Sequence, residues 1–200
     1  MERFDFKIAQ DGNVYPPSED SYLLIEAINP INFGKALEIG VGSGIISLHL
    51  ARKIDTVFAC DINPYSLFLS KQNAFANSLS NIYLFYSNIF SSIKVGTLFD
   101  LIVFNPPYLP VESPPRKIID LSYHGGVDGG DHIRAFLDGL GSFLSNNGTA
   151  YLLQSSLYPL DNTTNYLEKN NFRYKIKKTL KLDFEILYVL EISFFKNNKF

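Results

Sequence analysis

The stretch Lys35-Ala36-Leu37-Glu38-Ile39-Gly40-Val41-Gly42-Ser43-Gly44 sets a short apolar strand directly against a glycine-rich turn, and residues 45–52 follow with helical character. The same succession recurs outward from it. Residues 56–60 read as a buried strand, and Asn63 with Pro64 opens a helix, an N-cap followed by proline at the first helical position. Residues 82–86 and 100–104 read as a third and fourth strand, 131–144 as an amphipathic helix, 149–153 as a fifth strand and 158–169 as another helix. Two β-rich runs at 172–180 and 185–193 then follow without a helix between them, which predicts antiparallel pairing. Toward the N-terminus, Ser18 precedes Glu19 and Asp20 as a helix cap. Tyr22, Leu23, Ile25 and Ile28 supply that helix's apolar face until Asn29-Pro30 stops it. Five βα units and a strand pair predict an α/β fold: a mostly parallel, seven-stranded sheet with helices on both faces and an antiparallel C-terminal pair. Ligands in such sheets bind beyond the carboxyl ends of the strands.

Composition narrows the function classes. The chain has 200 residues, 46% apolar and 19% charged, with net charge −2. That length buries roughly 70% of the surface an unfolded chain exposes, enough for one domain spanning 1–200. The acidic balance gives no overall field for holding nucleic acid. One cysteine, Cys60, and three scattered histidines exclude a disulfide scaffold and predict no metal site. The N-terminus Met1-Glu2-Arg3-Phe4-Asp5 lacks a signal peptide's basic start and apolar run, and no apolar stretch approaches the ~20 residues of a membrane helix. A cytoplasmic protein without membrane contact is expected.

The glycine spacing selects a ligand. A dinucleotide loop reads G-x-G-x-x-G, but the position for its third glycine is Ile45, and Gly44 gives G-x-G-x-G instead. The acid Glu38 sits poorly beside a pyrophosphate and well beside a cation. S-adenosylmethionine carries an ammonium and a sulfonium and no phosphate. Asp61, ending the second strand, is placed to accept from both ribose hydroxyls, although the dipole of the next helix is an alternative use for it.

The fourth strand runs into Asn105-Pro106-Pro107-Tyr108. Two prolines stiffen this corner, and an exposed aromatic ring follows it. Such a corner suits methylation of a planar NH2 group, whose lone pair is delocalised into its π system. The Asn105 side-chain oxygen and the Pro106 carbonyl would each accept one N–H, and Tyr108 would stack on the flat group. No general base is required before transfer, in keeping with a site expected to lack histidine and cysteine.

These segments resemble the class I S-adenosylmethionine-dependent methyltransferases, which have a Rossmann-like fold, and among them the HemK-type protein-glutamine methyltransferases. The resemblance runs through Tyr15-Pro-Pro-Ser-Glu-Asp-Ser21, Glu38 to Gly44, Asp61-Ile-Asn-Pro64, Asn105 to Tyr108 and Gly125-Gly-Val-Asp-Gly-Gly-Asp131. Bacterial members carry an added N-terminal helical domain for which this length has no room, so the short archaeal and eukaryotic form is the better match. It implies release factor glutamine methylation in translation termination, on the Gly-Gly-Gln of a class 1 factor. It also implies that Ser21, Glu38, Gly40, Gly42, Gly44, Asp61, Asn88, Ile89 and Asn105 hold the cofactor, that Asn105 to Tyr108 are catalytic, and that residues 1–30 close over the cofactor. Asn88 stands where the family usually has Asp, Ser21 replaces the usual Thr, and Pro16 stands where an acid is common. The resemblance further implies a small zinc-binding activator protein on the edge strand containing Tyr83 and Phe85.

Other features are less specific. The segment 109–130 is long for a loop, and Arg116, Lys117 and the glycines of 125–130 are candidates for shaping a substrate channel. Arg173, Lys175, Lys177, Lys178 and Lys181 form a solvated basic face or an RNA contact. Competing readings are an adenine methyltransferase acting on DNA or RNA, a non-catalytic cofactor-binding module, and an NAD oxidoreductase.

Overall fold

The computed structural model describes residues 5–28 and 34–195. Asn29 and Pro30, expected to stop the first helix, and the first four residues of the N-terminus lie outside them. Seven strands, β1 (Lys35–Ile39), β2 (Thr56–Asp61), β3 (Ile82–Tyr86), β4 (Phe99–Phe104), β5 (Leu144–Ser155), β6 (Phe172–Lys181) and β7 (Ile186–Phe194), form one sheet in the order β3-β2-β1-β4-β5-β7-β6. The first five are mutually parallel; β7 runs antiparallel to β5 and β6. This is the expected architecture. The central strands are buried on both faces, so their sequences read as continuous apolar runs. Leu37, Ile102, Phe104 and Leu152 face one core with Phe136, Leu140 and Phe143 of α4 (Asp131–Phe143) and Leu167 of α5 (Leu160–Lys169). Ala36, Val103, Tyr151 and Val189 face the other with Leu24 of α1 (Glu19–Ala27) and Ile46 and Leu50 of α2 (Ile45–Ala51). The helix α3 (Pro64–Ala76) packs against β2 and β3, its N-cap Asn63 accepting from Tyr65 N at 3.0 Å.

Three local readings need correction. Ser18 is the N-cap of α1, but its hydroxyl turns to Glu19 Oε2 at 3.5 Å and caps no backbone N–H. On that helix Tyr22 is exposed, while Leu24, absent from the expected apolar face, is fully buried. Between β3 and β4 there is no helix: serine side chains satisfy the backbone locally, Ser87 Oγ accepting from Ser92 N at 3.1 Å and Ser91 Oγ from Asn88 N at 3.2 Å. Phe90 fills the space a helix would occupy, stacking on Phe143 with centroids 4.7 Å apart.

Residues 7–13 are held by asparagines of the α3 region. Asn77 Oδ1 accepts from Lys7 N at 2.9 Å, Asn73 Oδ1 from Ala9 N at 2.8 Å, and Asn63 Nδ2 donates to Asn13 O at 2.8 Å. These bonds run the N-terminal segment along α3, from its C-cap Asn77 to its N-cap Asn63 just beyond the carboxyl end of β2.

Candidate active site

One cavity of about 450 Å³ opens at the carboxyl ends of β1 to β4. Every proposed site residue lines it: Ser21, Glu38, Gly40, Gly42, Asp61, Asn88, Ile89 and Asn105 to Tyr108, with the exception of Gly44. Gly44 lies behind the wall at φ +87°, where an added Cβ would come within 3.0 Å of Ser70 Oγ, so it shapes the loop without facing the cavity. Gly40, at φ +69°, forms the cavity floor where β1 leaves the sheet. Gly42 N donates to Asp61 Oδ2 at 3.0 Å, and Asp61 Oδ1 accepts from Asn63 N at 2.8 Å. Asp61 therefore serves the helix start as well as the cavity. Burial raises its pKa.

Glu38 is 2% exposed and accepts from Ser47 Oγ of α2. Burial is the main cause that pushes its pKa up to about 8, against which the Ser47 hydrogen bonds pull down. A cation beside it would restore the ionised form. Ile89 holds φ +52°, an outlying conformation for a β-branched residue, in a turn that also lines the cavity. Cys60 beneath it is inert: burial pushes its thiol up to about 12.

The Asn105 corner is built with help that sequence reading missed. Asp20, 6% exposed at the start of α1, accepts from Asn105 Nδ2 at 3.0 Å through Oδ2 and from Ser21 N at 2.6 Å through Oδ1. That bond fixes which way the Asn105 amide faces. Its oxygen, Oδ1, is buried and has no hydrogen-bond partner among the described residues. Asp20 stands within the Tyr15–Ser21 segment that carries the family resemblance, but its burial and its bond to Asn105 arise only in the folded chain. Tyr108 is half-buried, not exposed as expected. Burial, then the charges of Asp20 and Glu185, raise its phenol's pKa well above the ordinary value, so the ring is neutral. Behind it, Gly125 and Gly129 do not shape a channel. A Cβ at Gly125 would fall 2.8 Å from Tyr108 C and one at Gly129 2.5 Å from Tyr108 O, so these glycines permit close backing of the corner.

The 109–130 segment is ordered by a short ladder, Leu109 N donating to Tyr123 O at 3.0 Å and Gly125 N to Leu109 O at 2.9 Å. Leu121, Ser122 and Tyr123 reach the cavity, whereas Arg116 and Lys117 do not: Asp120 holds their backbone N–H groups at the surface. His132, contrary to expectation, lines the cavity; its Nε2 is 3.2 Å from His124 O, and burial lowers its pKa. The edge β3 exposes Tyr83, which stacks on Phe58 at 5.5 Å, but Phe85 packs into the core and Tyr86 takes the outward position instead. The basic residues of β6 are partly engaged, Lys177 with Glu191 at 3.0 Å and Lys178 with Glu26 at 3.7 Å.

Residues 10–117 match the family described as the methyltransferase small domain. The chain belongs to that family. A Methanocaldococcus jannaschii protein assigned as a protein N5-glutamine methyltransferase is 37% identical over 187 residues, covering 92% of this chain and 93% of its own. Methyltransferase HEMK2 of Homo sapiens is 31% identical over 155 residues, or 70% of this chain and 71% of its own. Among solved structures, the E. cuniculi Mtq2–Trm112 complex, responsible for methylation of the eRF1 translation termination factor, superposes with TM-score 0.73 at 25% identity, covering 90% of this chain and 98% of that one. The HemK-type resemblance is thereby shown, and the protein is an S-adenosylmethionine-dependent methyltransferase. The cavity wall fits that donor. It holds the acids Asp20, Glu38, Asp61 and Glu185 and, among the described residues, no lysine or arginine, which suits a cationic ligand without phosphate. Among the described residues, no group of His, Cys, Asp or Glu is arranged to hold a metal, and no helix is long and apolar enough to cross a membrane.

Proposed function

We propose that this methyltransferase modifies the side-chain amide nitrogen of a glutamine in the Gly-Gly-Gln segment of a class 1 release factor. The observation that carries the reading is Asn105 Oδ1, a buried acceptor without a partner among the described residues, on an amide whose orientation Asp20 fixes. Leaving such an oxygen unsatisfied costs about 1–3 kcal/mol unless a ligand N–H arrives. One N–H of the target amide goes to Asn105 Oδ1 and the other to the Pro106 carbonyl, while the neutral Tyr108 ring lies against the amide plane. Bound S-adenosylmethionine supplies a methyl group on an electrophilic sulfonium. As the nitrogen rehybridises and gains positive charge, the two acceptors strengthen their hold, so stabilisation grows toward the transition state. The proton then leaves to solvent through the open mouth. Glu38 and Asp61 with Gly40, Gly42, Ser21, Asn88 and Ile89 hold the donor. The N-terminal segment, which contributes Tyr15, Pro17, Asp20 and Ser21 to the wall, closes over it.

Several features support a protein substrate over an adenine in nucleic acid. The wall's acids repel a phosphate backbone, and the Methanocaldococcus jannaschii relative, 37% identical, is assigned as a protein-glutamine methyltransferase. The Mtq2 relative was solved in complex with Trm112, and we propose that this chain takes a small zinc-binding activator of its own on the β3 edge. Tyr83 and Tyr86 lie exposed on that strand, and Phe68 and Phe75 of the neighbouring α3 are 62% and 87% exposed. A cytoplasmic setting follows from a translation substrate. Incubation with methyl-labelled donor and either release factor or DNA tests the reading. Label should enter the factor and map to its Gly-Gly-Gln glutamine by mass spectrometry; label in DNA alone sinks the proposal.

A further inference from the structure

The turn between β6 and β7 is a second place where the cavity wall is left incomplete. Leu182 N donates to Glu185 O at 2.8 Å, which closes a tight hairpin over Asp183 and Phe184. Its base is pinned to the end of β5 by Ser156 N to Ile186 O at 2.8 Å and Ile186 N to Ser156 Oγ at 2.9 Å. Glu185 is held by this frame so that it lines the cavity, close enough to Tyr15 and Tyr108 for its charge to act on both phenols. Its Oε2 is buried and, like Asn105 Oδ1, has no hydrogen-bond partner among the described residues. Two of the four such oxygens in the molecule's described part therefore border the same cavity. The residue before it, Phe184, is 95% exposed at the hairpin tip, while Tyr15, Leu109 and Tyr123 form a half-open apolar rim around the mouth. A rigid hairpin that presents an apolar tip and, one residue on, a buried acceptor is built to grip something that enters the mouth.

We infer that the β6–β7 hairpin reads the polypeptide substrate: Glu185 Oε2 accepts an N–H belonging to a residue beside the target glutamine, and Phe184 packs on the apolar surface of the folded substrate protein. The inference rests on the glutamine-methylation reading and adds to it the element that selects the polypeptide. An acid at this position admits N–H donors and rejects phosphate or carboxylate neighbours. The donor is either a backbone amide next to the glutamine or a basic side chain close to it in the chain. Neither Phe184 nor Glu185 touches the methyl-accepting nitrogen in this account; they determine specificity.

Steady-state kinetics on the intact release factor and on a short Gly-Gly-Gln peptide separate these roles. Glu185→Ala should raise KM for both substrates roughly tenfold with kcat held within about twofold, and Glu185→Gln, which keeps an acceptor oxygen, should recover most of it. Phe184→Ala should lower the ratio of kcat/KM on the intact factor to that on the peptide by roughly tenfold. Calorimetry with S-adenosylhomocysteine confirms that both variants keep a folded donor site. To find the N–H, the peptide is N-methylated at the residue after glutamine, or its basic residues are replaced by alanine. One of the two changes should abolish the dependence on Glu185. An unchanged KM in Glu185→Ala, a loss confined to kcat, a loss of donor affinity, or a Glu185 dependence that survives both peptide changes would each overturn the inference. If the unaltered enzyme methylates neither substrate, it is the glutamine reading that fails.

Discussion

The ends of β1 and β2 and the corner after β4 face one cavity, yet they are finished in opposite ways. On the β1–β2 side every acid already has protein donors: Asp61 takes Gly42 N and Asn63 N, and Glu38 takes the Ser47 hydroxyl. On the opposite side two acceptors, Asn105 Oδ1 after β4 and Glu185 Oε2 in the β6–β7 turn, are buried with none among the described residues. The first half is a self-supporting scaffold that a ligand joins. The second half is completed only by what it binds. A self-supporting half tolerates substitution with graded loss of donor affinity, whereas in the incomplete half removing Asn105 Oδ1 acts on the reaction itself and removing Glu185 Oε2 acts on the hold of the polypeptide.

Asn105→Ala puts this contrast to the severest test. It removes one of two acceptors aimed at the developing charge, so kcat should fall by roughly 10²–10³ while donor affinity changes little. Single-turnover rates and calorimetry with S-adenosylhomocysteine read the two separately. Equal losses in both would erase the distinction between the halves.

Asp20 comes next. It does not touch the target nitrogen in the proposed reaction; it holds the Asn105 amide so that Oδ1 faces the cavity. Asp20→Ala frees that amide to rotate, and misplacement on this scale should lower kcat by roughly 10–100-fold. Asp20→Asn keeps one acceptor oxygen for Asn105 Nδ2 but gives up the bond from Ser21 N, and should restore part of the rate. A failure of Asn to rescue would mean that the charge at position 20, and not the bond, is what the corner needs.

The two halves also differed in how far they could be read from sequence. Gly40, Gly42, Asp61 and the cap Asn63 were legible because their roles are local: a strand end, a turn and a helix start lie within a few residues of one another. The mostly parallel sheet and the antiparallel pair followed from periodicity and from the missing helix after residue 180, whereas the strand order came only with the structure. Asp20, Glu185 and His132 were not legible as wall residues. Their partners lie far along the chain, Asp20 and Asn105 being 85 residues apart, and only tertiary packing brings them together. The β3–β4 connection misled for a related reason. Its serines favour local turns over a helix, and Phe90 fills the gap in the core, which no periodicity announces. The glycines of 125–130 were noticed, but their purpose, backing Tyr108, depends on a close approach visible only in three dimensions.

Glu38 sharpens the comparison through pH. Its carboxyl titrates at about 8 in the folded protein against 4.5 ordinarily. Between those values the unfolded chain has lost a proton that the folded chain keeps, so the unfolded state binds fewer protons and stability falls as pH rises. The fall should begin near 4.5, level off above 8, and be reinforced by the raised Asp61. Melting temperature across this range should decline in the unaltered protein and decline less in Glu38→Gln. A cationic donor favours the ionised carboxyl, so its affinity should climb toward pH 8 by at most about tenfold per pH unit and stay flat in Glu38→Gln. A flat profile in the unaltered protein would show that the donor's cation lies away from Glu38.

The smallest expected effect concerns Asn88, whose backbone N donates to Ser91 Oγ at 3.2 Å while its side chain borders the cavity. Its amide oxygen can accept from an amino group on the donor's ring system, but without the added strength of a charged acceptor. Asn88→Asp should therefore tighten donor binding only a few-fold, because an exposed charge is well screened. Since this residue belongs to the self-supporting half, the gain should appear in donor affinity with kcat unmoved. A change in kcat would mean that the third strand's loop communicates with the Asn105 corner, and the two halves would then have to be treated as one.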